Sequence, residues 1–357
     1  PTLLLDETTA RRNIQRMVAK TRAAGVRFRP HFKTHQSAEI GGWFREAGVA
    51  AITTSSVDMA RYFAAAGWDD ITIAFPANLR QAEALADLAR QVKLGLLVES
   101  PEAVQGLAQR VHAPLDLWLK VDVGAHRTGL PWDQPDEAAR VAGAISPPFR
   151  LRGLLTHAGH TYAARGQAQV RERTRESIDR MAHLRRELQT RGFDGLEISV
   201  GDTPAASLCD DFSGVDELRP GNFVFYDAQQ VQISSCGWED IAVALACPVV
   251  AKHAERGEAV IYGGAVHLSK DYLMLGDQRA YGLVCLPEGE RWGAPLAEAF
   301  VSGLSQEHGI LHLAAPDLAR LAVGDLVCIL PAHSCLTVTL MKRYLTLTGR
   351  VIDTLNA

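Results

Sequence analysis

Eight short apolar runs in the first two-thirds of the chain, alternating with stretches of helical period, set the tightest limit on the fold. The runs occupy residues 26–29, 51–54, 71–74, 93–98, 115–121, 151–155, 195–200 and 217–219. Helical patterns cover 6–24, 81–91, 101–109 and 167–190, the first opening with capping oxygens at Asp6, Thr8 and Thr9. Strands joined through helices run parallel, and eight is the number that closes a barrel. A doubly wound open sheet is the rival, but no early strand is followed by G-x-G-x-x-G, and no P-loop is present. From about residue 233 the texture changes. Alternating segments at 242–251, 259–262, 281–285, 309–313, 325–330 and 336–341 lie between Gly, Pro and Asp turns. They predict a mostly antiparallel β domain. The expected fold is therefore α/β: a (β/α)8 TIM-like barrel over 6–232, then a β domain over 233–357.

Composition narrows the function. With 357 residues and a net charge of −4, the chain lacks the basic surface that general nucleic-acid binding requires. No run nears the roughly 18 to 20 apolar residues of a membrane span. Residues 1–6 enter folded-looking sequence with no signal-like segment, and six scattered cysteines form no C-x-x-C. Together these lead us to expect reduced thiols and a cytoplasmic location.

Several polar clusters follow the predicted strands, where barrels of this kind place chemistry. Arg29-Pro-His-Phe-Lys33-Thr-His35 sets a lysine among cations and apolar neighbours, which favours a neutral amine able to form a Schiff base. A solvated lysine in a basic loop is the competing reading. Leu119-Lys-Val-Asp-Val-Gly-Ala-His-Arg127 presents an arginine on a Gly-rich turn, suited to a carboxylate or phenolate oxygen or merely solvated. Thr156-His157-Ala-Gly-His160-Thr-Tyr162 suits acid–base work or metal binding. The turns 199–204 and 219–222 offer main-chain N–H groups to a phosphate, or are just turns. In Pro331-Ala-His333-Ser-Cys335, an extended backbone would put imidazole and thiolate on one side, a pair suited to Zn²⁺. A buried cysteine beside a turn histidine is the bland alternative. Glu307 and His308 are candidates for a further ligand.

Taken in order, Pro30-His-Phe-Lys33-Thr-His35, Val121-Asp-Val-Gly with Arg127, His157-Ala-Gly-His-Thr-Tyr162, Glu217-Leu-Arg-Pro-Gly-Asn222 and Pro331-Ala-His-Ser-Cys335 resemble a known family. It comprises the fold-type III pyridoxal-phosphate (PLP) enzymes of the D-serine dehydratase and D-threonine aldolase group, relatives of alanine racemase. The likeness spans nearly the whole chain, and its specific parts are the lysine and His-x-Cys motifs. It implies that residues 1–5 join the β domain as a strand and that Lys33 is the Schiff-base lysine. It also implies Arg127 near the cofactor's phenolic oxygen, Thr203, Gly221 and Asn222 on its phosphate, and Arg219 facing the pyridine nitrogen. His333 and Cys335 would hold Zn²⁺ or another divalent ion such as Mn²⁺. Tyr162 or His160 would position the substrate carboxylate or relay a proton.

Cysteine at 335, where the aldolases tend to carry aspartate, implies a D-serine dehydratase releasing a 2-oxo acid and ammonia. The alternatives are a D-threo-3-hydroxyaspartate dehydratase and a D-threonine or 3-hydroxy-D-aspartate aldolase. A metal-free racemase or a PLP-binding homeostasis protein would leave the His-x-Cys pair or the β domain without a role. Homodimers are usual among such relatives, so a homodimer acting on a small D-3-hydroxy amino acid is expected, with no nucleic-acid or membrane partner.

Overall fold

A computed structural model describes residues 1–357. The chain divides into two compact units, Gln15–Lys33 with Gly41–Gly221, and Pro1–Ile14 with Thr34–Ile40 and Asn222–Ala357. The first strand, β1 (Thr2–Leu5), lies in the second of these.

The first unit is the barrel. Its strands are β2 (Arg27–Phe28), β3 (Ile52–Thr54), β4 (Asp70–Pro76), β5 (Lys93–Val98), β6 (Leu115–Asp122), β8 (Phe149–Leu155), β9 (Glu197–Val200) and β10 (Glu217–Leu218). A two-residue β7 (Leu130–Pro131) pairs with the end of β6. The parallel order β2-β10-β9-β8-β6-β5-β4-β3 makes a sheet of eight strands. A single parallel bridge, His31 to Thr53, joins its two edges. There the Phe32 N–H donates to Thr53 O at 2.8 Å and the Thr53 N–H to Pro30 O at 2.9 Å.

Strands covered on both faces read as continuous apolar runs, and β5 is buried at every position after Lys93. The helices outside have local causes. Ser100 caps Pro101–Ala108, with proline at the first turn and its hydroxyl accepting from Ala103 N–H at 3.2 Å. Helix Gln167–Thr190 buries Val170, Thr174, Ile178, Met181, Leu184 and Leu188, one stripe at helical spacing, and leaves Arg171, Arg175 and Arg186 exposed. Gly153 lets β8 approach β9: a Cβ there would lie 2.1 Å from Glu197 O.

The second unit is built on antiparallel strands: β11 (Val243–His253), β12 (Glu258–Tyr262), β15 (Gly282–Glu288), β16 (Arg291–Leu304), β17 (His308–His312) and β18 (Leu326–Pro331), with a small hairpin β13 (Leu273–Leu275) and β14 (Gln278–Ala280). Their order β12-β17-β16-β15-β18-β11 closes on itself because β12 also pairs β11. β1 then joins β11 antiparallel and β19 (Arg343–Thr346) parallel, with β20 (Val351–Asp353) at the edge.

One expectation fails here. Residues 336–341 alternate like a strand, yet Ser334–Met341 is a helix with His333 at its N-cap. Two threonines that favour strands are accommodated by bonding back one turn, Thr337 Oγ1 to His333 O at 3.4 Å and Thr339 Oγ1 to Cys335 O at 3.1 Å. The His-x-Cys pair therefore sits at a helix start rather than along an extended segment.

Candidate active site

In the barrel unit the polar residues of interest follow the C-terminal ends of the strands. Phe32, fully buried among Phe44, Phe63 and Trp68 with ring centroids 4.9–5.1 Å away, fixes the backbone entering Lys33. The Lys33 N–H donates to His31 Nδ1 at 3.3 Å. After β8, His157 Nδ1 lies 2.6 Å from Gly201 O. A carbonyl only accepts, so Nδ1 carries the proton and Nε2 presents a lone pair. Burial, then the charge of Lys33, pushes the His157 pKa down to about 3, so the ring is neutral.

Tyr162 accepts from the Thr203 N–H through its hydroxyl at 3.4 Å. Thr203 Oγ1 is buried and has no partner. Thr203 is presented by Asp202, which caps the following turn by accepting from Ala205 N–H at 2.8 Å and from Thr161 Oγ1 at 2.9 Å. Burial raises the Asp202 pKa to about 6. Gly201 is required here, since a Cβ would stand 2.7 Å from Arg219 Cβ.

Arg219, buried at 4% exposure, donates through Nε to Ser199 Oγ at 2.6 Å and through Nη2 to Thr156 O and Ser199 O. Burial lowers its pKa to about 10. Arg127 is exposed on a turn that Asp122 Oδ1 organises by accepting from Gly124, Ala125 and His126 N–H groups at 2.9–3.1 Å. Gly221, also buried, ends this unit.

His160 is placed differently. Its Nε2 meets Ser177 Oγ on helix Gln167–Thr190 at 3.4 Å, its carbonyl accepts from Arg173, and Nδ1 is buried without a partner. The structure groups His157, rather than His160, with Lys33, Arg219 and Tyr162. Sequence reasoning also passed over Lys120. It lies within the Arg127 motif, buried, donating to Val121 O at 2.9 Å and Thr128 O at 3.3 Å. Burial and then the Arg219 charge push its pKa down to about 8. A charged residue inside an otherwise apolar strand was the available signal.

In the β-domain unit the centre is a carboxylate. Asp227, with no exposed surface, accepts through Oδ2 from Asn222 Nδ2 at 2.8 Å, Ser334 N–H at 3.0 Å and His333 Nδ1 at 3.0 Å. Its Oδ1 accepts from Gln230 N–H at 3.0 Å. Cys335 Sγ lies 3.2 Å from Thr34 Oγ1. Burial opposes charge on His333, but Cys335 and Asp227 outweigh it and raise its pKa well above the ordinary value. Asp227 was missed in the sequence, where an aspartate capping a short helix carries no metal signal. Asn222 commits its amide to Asp227 and to Ser334 Oγ at 2.8 Å, so any phosphate contact from it falls to its main-chain N–H. His35, from the lysine motif, is an anchor here: its carbonyl accepts from Tyr344 Oη at 2.7 Å. Glu307 faces His267 at 3.9 Å, and no third His, Cys, Asp or Glu completes a metal-binding group with His333 and Cys335.

The residues fit the groups that the sequence resemblance implied. An orphaned hydroxyl at Thr203, clustered cations and Lys33 suit a phosphate-bearing cofactor that condenses with an amine. Asp227 fixes the proton of His333 on Nδ1, leaving Nε2 and the Cys335 sulfur as a nitrogen–sulfur pair suited to Zn²⁺. Two protein ligands leave positions open.

Comparison with known proteins finds matches over most of the chain. The alanine racemase N-terminal domain family matches residues 5–229, and the serine dehydratase domain family matches residues 242–347. The D-threo-3-hydroxyaspartate dehydratase of Delftia sp. is 32% identical, over 94% of this chain and 91% of its own. Its solved structure superposes with a TM-score of 0.91 at 30% identity, covering 100% of this chain and 97% of that one. That enzyme has also been solved with alanine replacing a histidine and, in a metal-free form, replacing a cysteine two positions further on. The D-serine dehydratase of Dictyostelium discoideum is 25% identical over 96% of this chain and 92% of its own. A D-threonine aldolase of Arthrobacter sp is 29% identical over 64% of this chain and 61% of its own.

Proposed function

The chain belongs to the family in which an alanine racemase N-terminal domain precedes a serine dehydratase domain, the PLP-dependent lyases of fold type III, and from that premise we propose that it is a metal-dependent D-serine dehydratase. It releases a 2-oxo acid and ammonia from a D-3-hydroxy amino acid. The observation that carries this reading is the His333–Asp227 pair beside Cys335.

When bound, PLP supplies an electron sink for the bond breaking at the substrate Cα, and a divalent ion supplies a Lewis acid for the β-hydroxyl leaving group. The chain's own residues do the rest. Lys33 Nζ would hold the cofactor and, as a free amine, would accept the Cα proton. Arg219 is a cation at neutral pH, so opposite a ring nitrogen it donates a hydrogen bond without giving up a proton. That limits the sink and makes the leaving-group assistance necessary. Thr203 Oγ1 and the Gly221 and Asn222 N–H groups hold the phosphate, and Arg127 the phenolic oxygen. Neutral His157 offers Nε2 as an acceptor, while Tyr162 supports Thr203 and orients the substrate carboxylate. His333 Nε2 and the Cys335 sulfur would hold Zn²⁺, with Asp227 locking the imidazole.

A D-threo-3-hydroxyaspartate substrate is the second reading, favoured by the 32% identical relative. The cytoplasm and a homodimer complete the proposal, supported by six cysteines that form no disulfide and by exposed Val266, Tyr272, Leu336 and Leu340 in the β domain. No helix is long and apolar enough to cross a membrane.

The test gives protein loaded with PLP and Zn²⁺ each of D-serine, D-threonine and D-threo-3-hydroxyaspartate, with and without a chelator. Chelator-sensitive 2-oxo acid and ammonia are expected, and the fastest substrate decides between the two dehydratase readings. Glycine plus an aldehyde as the main products would replace the dehydratase by an aldolase.

A further inference from the structure

Inside the barrel, below the strand ends, lies a line of buried charge that the proposed chemistry leaves without a task. Glu217 on β10 is 1% exposed, and its Oε2 accepts from Arg29 Nε at 2.8 Å. Its Oε1 accepts from Ser199 Oγ at 2.8 Å, and that same hydroxyl accepts from Arg219 Nε at 2.6 Å. A guanidinium only donates and a serine hydroxyl has one proton, so the Ser199 proton must point at Glu217. The chain Arg219–Ser199–Glu217 thus has a single direction.

Arg27 also approaches Glu217 Oε2, at 3.8 Å, but the two buried arginines, Arg29 and Arg219, are not equally served. Arg29 has a second carboxylate, Asp70 Oδ1 at 2.6 Å, which Lys93 joins at 2.8 Å. Arg219 has no carboxylate in hydrogen-bond contact, and its counter-charge reaches it through the Ser199 hydroxyl. Its other commitments run from Nη2 to the Thr156 and Ser199 carbonyls. Nη1 is left as the end that makes no bond within the protein.

We propose that Ser199 and Glu217 are positioning residues for the cofactor, holding the Arg219 guanidinium in one plane so that Nη1 faces the pyridine nitrogen. The inference rests on the reading that PLP occupies the barrel with Arg219 opposite its ring nitrogen. Losing the relay lets the guanidinium rotate and weakens one hydrogen bond to the ring, which alters both the ring's electron demand and its optical transition.

The test compares wild-type holoenzyme with Ser199→Ala and Ser199→Thr. Ser199→Ala keeps the Glu217–Arg29 pair and breaks only the relay. Expected are a displaced visible absorption maximum of the bound cofactor, weaker cofactor affinity, and kcat lower by about tenfold with little change in KM, the scale of one charged hydrogen bond. Ser199→Thr, which keeps the hydroxyl, restores all three. Glu217→Gln leaves an acceptor for Ser199 but removes the charge, so it shifts the band in the same direction. A purely structural role would lower the melting temperature of Ser199→Ala and leave its band in place; that outcome overturns the inference. A wild-type band that survives Lys33→Ala overturns instead the cofactor reading on which it stands.

Discussion

In the barrel unit, two buried cations near the strand ends, Lys120 and Arg219, are short of partners. Lys120 is held only by two carbonyls and its pKa is pushed down to about 8, and Arg219 reaches a carboxylate only through a serine. In the β-domain unit the buried charge is an anion, Asp227, which gathers four donors including the imidazole of His333. A buried charge that lacks its complement raises the free energy of the empty protein unless a ligand brings the complement. The barrel is thus prepared for an anionic, phosphate-bearing ligand. The β domain already holds its anion beside an imidazole and a sulfur, which would have to give up protons to a bound cation. The lesson is that the two cofactor requirements can be separated residue by residue.

The sharpest test of that separation pairs Lys33→Ala with Cys335→Ala. Lys33→Ala should abolish the visible cofactor band and lower turnover by about 10³-fold while leaving metal content intact. Cys335→Ala should do the reverse, keeping the band and losing the metal together with most turnover. Absorption spectra and metal analysis of the same preparations read both, and a variant that loses both groups together would break the comparison. A smaller effect is expected for Asp227→Asn, which keeps the shape but lets His333 choose its tautomer. Metal affinity, measured by chelator competition, should fall about 10- to 100-fold with the band unmoved; an unchanged affinity would mean that Asp227 only caps its helix.

The smallest effect is on stability and belongs to the barrel. The His157 pKa is lowered in the folded state, so between about 3 and the ordinary value near 6.5 the unfolded chain binds the extra proton. Its contribution to stability is complete above pH 6.5 and is lost as the pH falls toward 3, at most about 2 kcal/mol by pH 5. Denaturant unfolding at pH 7 and pH 5 should show this loss. His157→Asn, which keeps a donor for Gly201 O, should flatten it, and an unchanged slope would show that the imidazole titrates freely in the fold.

Much of this was legible beforehand. The run at 93–98 is β5 residue for residue, and helix Gln167–Thr190 spans its predicted range, because a buried parallel strand and an amphipathic helix each stamp a period on the sequence. The 14-residue β16 left no such mark: Gly293, Ala294, Pro295, Ala297 and Gly303 disfavour a strand, and its neighbours impose the pairing through register shifts. Residues 336–341 erred the other way, carrying strand-like composition into a helix. At the candidate site, Lys33, Arg219, Tyr162, His333 and Cys335 could be singled out from sequence because their motifs are compact. Asp227 and Ser199 were not, since each acts through a hydrogen bond to a residue far along the chain, and no local pattern records such a bond. Spacing cannot tell which of His157 and His160 turns its ring toward the helix outside; the structure turns His160 there.

The closure of the barrel has a practical side. Its edge strands β2 and β3 meet at the single bridge between His31 and Thr53, two residues from Lys33. Partial openings begin where a structure has fewest bonds to break. An opening of this seam would displace the lysine before the rest of the ring yields. The colour of the holoprotein is therefore a gauge of one join in the fold, and bleaching in mild denaturant should run ahead of the loss of helical signal.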